Sequence, residues 1–184
     1  MRRRVAGGLG LSVALGATLV AAQPDRPRTE DSLQAFARIA SVMRHPRCLN
    51  CHQAGEAPRQ TDARTPHLML VARGPDGFGT PALRCPACHQ ETNTADGRIP
   101  GAPSWQLAPK SMGWDGIADA GMCRALKNVE RNGQRTLPDL LKNVTTDPLV
   151  LWAWNPGERT TPPIIHGELV EAMKRWVSTG AACP

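Results

Sequence analysis

Aromatic side chains are scarce: the 184 residues hold no tyrosine, two phenylalanines and five tryptophans. Large flat apolar groups normally carry much of a core's burial, so something else must fill this one. Long apolar runs are missing too, apart from one at the extreme N-terminus, which excludes a polytopic membrane protein. Regular heptads are absent, which excludes a coiled coil. What is abundant is turn chemistry, with 17 glycines and 17 prolines. Six cysteines exceed ordinary usage but fall short of a small disulfide scaffold. The length suits a single domain.

The N-terminal run reads as an address. Arg2, Arg3 and Arg4 form a positive region, Val5 to Val20 an apolar one, and Val20-Ala21-Ala22 supplies small residues for a signal peptidase. Residues 1–22 are therefore predicted to be a cleavable signal peptide. An uncleaved anchor is the alternative, but 16 residues are short for a span. Removing three arginines takes the formal charge from +6 to +3. That is too mild to suggest nucleic acid. All six cysteines stay in the mature chain, so the predicted compartment is oxidising, as the periplasm is.

The mature part, 23–184, reads as one mostly α, loop-rich domain. Residues 23–30 look like a mobile leader. An amphipathic helix is predicted over 31–44, ended by His45-Pro46 because the residue before proline avoids helical geometry. From 46 to 109 periodicity is lost, which is unusual in a compact domain unless a ligand organises the segment. Helices return in 115–184: one from Asp115 to about Asn132, one capped by Thr136 with Leu137, Leu140, Leu141 and Val144 inward, and one over 167–179.

The only repeat is a five-residue motif. Cys48-Leu49-Asn50-Cys51-His52 and Cys85-Pro86-Ala87-Cys88-His89 are both C-x-x-C-H, the signature of covalent haem c attachment. Two thiols three residues apart can each add to a vinyl group on one porphyrin edge. The following histidine then reaches the iron as proximal ligand. A zinc site of two C-x-x-C pairs is the rival. Its usual gap is about 15–20 residues, whereas 33 separate Cys51 from Cys85, and zinc gives no reason for a histidine after both pairs. Two covalently bound haems c are thus predicted, on Cys48, Cys51, Cys85 and Cys88, with His52 and His89 as proximal iron ligands. Two porphyrins could stand in for missing aromatics and order the segment 46–109, which is not expected to fold without them.

Each iron has a sixth position. His67 lies in a loop between the motifs and is a distal candidate. His45 precedes Cys48 by three residues, at most about 10 Å. It could serve the neighbouring haem more easily than its own, or simply end a helix. Met112 and His166 are reserves. Met43, Met122 and Met173 fall on apolar helix faces and read as core, and Met69 as packing. Bis-histidine ligation would lower the potentials relative to methionine ligation, while an empty position would permit catalysis. Cys123 and Cys183 have no close partner in sequence and are predicted to form a disulfide pinning the C-terminus; a free thiol or intermolecular bridge is the alternative. The five tryptophans read as haem packing or core.

The segments HPRCLNCH at 45–52, PH at 66–67, VARGPDGFG at 71–79, RCPACHQ at 84–90, GAPSWQLAP at 101–109, DPLVLWAWNPG at 147–157 and GAACP at the end resemble a family of small bacterial di-haem c-type cytochromes often labelled "isoquinoline 1-oxidoreductase subunit". The resemblance implies His52 and His89 as proximal ligands and His45 and His67 as distal candidates. It implies at most an electron-accepting role beside a molybdenum hydroxylase, since nothing in the chain resembles a molybdopterin or iron–sulfur site. The combined expectation is a small di-haem cytochrome c architecture, with helices flanking an irregular haem-binding segment. Its work would be periplasmic one-electron transfer between a redox donor and acceptor, not catalysis. Two rivals stand: a di-haem peroxidase-like enzyme with an open iron, and a subunit of a larger periplasmic oxidoreductase. Four haem propionates would add about −4 at neutral pH, so the basic composition says little about partners.

Overall fold

Six helices are joined by long irregular stretches in the computed structural model, which describes residues 25–184. The expected signal peptide, 1–22, lies outside the described residues. Helix α1 (Arg26–Met43) starts five residues before the sequence-based boundary, with a proline in its first turn, where the missing N–H costs nothing. The early start has partners: Arg28 donates to the Ser178 carbonyl (2.7 Å) and Arg175 pairs with Asp31 (2.7 Å). Most of the expected mobile leader is therefore helix, tied to the far end of the chain.

A four-residue helix, α2 (Pro46–Leu49), follows α1 after a break at Arg44-His45. The C-terminal part contributes α3 (Asp119–Lys127), α4 (Leu137–Thr146), α5 (Pro148–Leu151) and α6 (His166–Ser178). The expected helix from Asp115 to Asn132 is shorter at both ends. Asp115 bonds Arg64 instead of capping, and Asn132 turns its amide onto the carbonyls of Leu126 and Arg135. Thr136 caps α4 as expected, in a reciprocal box with Asp139. Helix α5 was not anticipated; Asp147 caps it through the Leu149 and Val150 amides.

The core lies among α1, α3, α4 and α6. Phe36, Ile39 and Val42 from α1 meet Met122 and Leu126 from α3, Leu140 from α4, and Leu169, Met173 and Trp176 from α6. The Phe36 and Trp176 rings are 5.4 Å apart. Cys123 and Cys183 are joined by a disulfide. The tail it holds is also pinned by Trp176 Nε1 on the Ala182 carbonyl (2.9 Å) and by the Ala182 amide on the buried Ser32 hydroxyl (2.9 Å). Among the described residues no helix is long and apolar enough to cross a membrane.

Between α2 and α3 regular structure is minimal. Two antiparallel pairs of two-residue strands, β1 (Arg59–Gln60) with β2 (Thr65–Pro66) and β3 (Gly79–Thr80) with β4 (Leu83–Arg84), are its only ladders. Buried Arg73 ties this stretch together by donating to the carbonyls of Gln53, Gly55 and Ala108. Gly74 is required where it stands: its φ is +66°, and a Cβ would overlap the Gly79 carbonyl oxygen.

Candidate functional site

The two C-x-x-C-H motifs fold into the same turn. In the first, extended His45 starts α2, Pro46 opens it, and the His52 amide closes onto the Cys48 carbonyl at 3.0 Å. In the second, a 3-10 turn over Cys85–Ala87 also carries a proline near its start, and the His89 amide closes onto the Cys85 carbonyl at 2.9 Å. The likeness extends past the motif. Gln53 and Gln90 follow the two histidines, and each donates its side-chain amide to the carbonyl four residues back, that of Leu49 and that of Pro86 (2.6 Å for the latter). An arginine, Arg47 or Arg84, precedes each first cysteine. The repeat is thus R-C-x-x-C-H-Q, and the outer two positions, missed from sequence, were legible as identities at equal spacing.

Both imidazoles are fixed in the same two ways. His52 Nδ1 is 2.9 Å from the Met112 carbonyl, and its ring stacks on Trp114 with centroids 3.6 Å apart and planes 10° apart. His89 Nδ1 is 2.7 Å from the Pro100 carbonyl, and its ring stacks on Trp105 at 4.5 Å and 4°. A carbonyl on Nδ1 selects the tautomer with a proton there, so Nε2 carries the lone pair a metal needs. Burial pushes the His52 pKa down to about 4, against the Met112 carbonyl, which pulls it up. Burial lowers the His89 pKa as well. Both rings are therefore neutral at physiological pH. Burial also pushes the Cys48 thiol up to about 12 and the Cys51 thiol to about 11, each reinforced by a neighbouring cysteine.

Each motif opens on its own cavity. One, of about 340 Å³, is lined by Cys85, Cys88, His89 and His67. The other, of about 390 Å³, is lined by Cys48, His52 and three methionines, Met43, Met112 and Met173. Such volumes lie within the range of cofactor sites, roughly 300–1,000 Å³. The two share a wall of Arg47, Cys51, Trp105, Gln106, Leu107 and Trp152. Among the described residues no three His, Cys, Asp or Glu side chains converge on one point as ligands of a bare ion.

The distal candidates separate. His67 stands opposite His89, with ring centroids 6.1 Å apart and planes 67° apart. Its Nδ1 is 2.7 Å from the Leu68 carbonyl, which leaves Nε2 free. Two imidazoles that share one metal, at about 2 Å per nitrogen–metal bond, have centroids roughly 6 Å apart. His45 lines neither cavity; its Nδ1 accepts from the Arg47 amide (3.3 Å) and its Nε2 lies 3.4 Å from the Thr160 hydroxyl. His166 lines neither as well, its Nε2 being 2.7 Å from the Val144 carbonyl and its ring against Trp154. Met112 does line the His52 cavity, and Met43 and Met173, expected as core only, line it too.

No protein-family model, no curated protein and no solved structure matches the chain. The reading of the site therefore stands on its own residues.

Proposed function

We propose that this chain is a di-haem c-type cytochrome that transfers single electrons between periplasmic redox partners, of the small bacterial family whose motifs it resembles. One observation carries the reading. The two R-C-x-x-C-H-Q segments take the same fold, each with a neutral imidazole held by a carbonyl and a tryptophan beside its own cavity. When bound, each haem supplies an iron that accepts and gives up one electron. The chain's part is to hold it. Cys48 and Cys51 anchor one macrocycle and Cys85 and Cys88 the other. His52 and His89 would ligate the irons, with Trp114 and Trp105 stopping the imidazoles from rotating. His67, facing His89 across the second cavity, would supply the other imidazole there. The first site has no second histidine on its walls but three thioethers, so one of Met43, Met112 and Met173 would close it and give it the higher potential. The Cys123–Cys183 disulfide suits an oxidising compartment.

A second reading rests on that same first cavity. If none of the thioethers reaches the iron, the open position makes a peroxidase-like enzyme. Mass spectrometry and spectroscopy of the mature protein decide the matter. Two covalent haems, both low-spin and indifferent to carbon monoxide when reduced, are expected. A chain carrying no covalent haem overturns the proposal, and one high-spin haem that binds carbon monoxide favours the enzyme.

A further inference from the structure

Arg47 and Arg84 occupy the same place in the repeat but do different things. Arg84 is half-exposed and paired with Asp76 at 2.8 Å. The Arg47 side chain is 2% exposed and lies on the walls of both cavities. Asp62 pairs with its Nη2, while its Nε is buried with no hydrogen-bond partner. The guanidinium carbon sits 5.8 Å from the ring centre of Trp152, which also lines both cavities. Arg73, the other buried arginine among the described residues, also has a partnerless Nε, but its Nη atoms donate to three carbonyls and it lines neither cavity, so what sets Arg47 apart is its place on both walls.

A buried guanidinium with an unmet donor is costly, and the group whose shape fits its fork is a carboxylate. We propose that Arg47 is a shared anion-binding residue: it takes a carboxylate of a ligand at the junction of the cavities, and it couples the two sites electrostatically. This rests on the reading above, under which the carboxylate is a haem propionate. A buried cation opposes the extra positive charge of a ferric iron, so Arg47 raises the potentials of both centres together.

Spectropotentiometric titration of the mature holo-protein tests this, with haem content checked by mass. Arg47→Gln is expected to favour the oxidised state at both haems by about tenfold, a fall of about 59 mV for one electron. Asp62→Asn removes the surface counter-ion of Arg47 and is expected to raise both potentials; it keeps the test open should Arg47→Gln not accumulate. Potentials unchanged in either variant, or a shift at one haem alone, would overturn the shared role while leaving two covalent haems in place. A chain that never takes up haem would sink the function itself.

Discussion

At the scale of single residues, histidine is where sequence and geometry part company. His45 and His67 are equivalent as chemistry: both are unclaimed imidazoles near a C-x-x-C-H motif. Only the fold distinguishes them, because His45 is used locally as the cap of α2 while His67 is carried across to face His89. His67→Ala is therefore expected to turn one low-spin haem into a high-spin one that binds carbon monoxide. His45→Ala should leave both spectra unchanged, and a high-spin signal in that variant would reverse the assignment. His52 and His89 are legible as proximal candidates because the five-residue spacing carries that proposed chemistry by itself. Trp105 and Trp114 are not, since a stack depends on where a loop returns, and no periodicity in 100–114 encodes that.

Helices were read well where caps are written in side chains and poorly where they are not. Thr136 with Asp139 announces α4, and Asp147 could have announced α5, as an acidic cap before proline. Ala118, which caps α3, announces nothing. At the contact of α1 with α6, Trp176 is fully buried against Phe36. Trp176→Ala should cost about 3–5 kcal/mol, measured by denaturant unfolding. The tail after α6 depends on the disulfide, which closes a loop of 60 residues. On the chain-entropy account, Cys183→Ser lowers stability by about 4 kcal/mol, and the loss should vanish when both proteins are compared under reducing conditions. One further tie has a pH signature. Burial raises the Asp62 pKa, but the Thr160 amide and hydroxyl and the Arg47 guanidinium outweigh it and leave the carboxyl below its usual value. Its contribution is then complete above the ordinary aspartate pKa, near 4, and fades as pH falls through the lower folded value. Asp62→Asn should flatten that acid limb of the unfolding midpoint; an unchanged limb would show that the tie does not bear on stability.

Over the whole molecule, the shortage of aromatics is met in two different ways. The helical core needs only Phe36, Trp114 and Trp176 beside aliphatic and methionine side chains, because α1, α3, α4 and α6 pack on one another directly. Trp105, Trp152 and Trp154 stand on cavity walls, as Trp114 also does, and Trp154 packs on the core as well. Between α2 and α3 the chain has only two-residue strands and short turns to hold its shape, so under the proposed function its order is expected to depend on what would fill those cavities. The two halves should then respond differently when the ligands are withheld. A Cys48→Ala, Cys51→Ala, Cys85→Ala, Cys88→Ala chain cannot be loaded covalently but keeps every residue of the helical core and the Cys123–Cys183 bridge. Limited proteolysis of that chain is expected to cut within 46–109 and leave the helices of 119–178 intact, whereas the loaded protein should resist in both regions. Amide exchange supplies the same reading without cleavage: fast exchange confined to the cavity segment, slow exchange along α1, α3, α4 and α6. Equal protection of the two regions in the unloaded chain would mean that the irregular segment folds on its own hydrogen bonds. Arg73 and its three carbonyls would then be enough to order it.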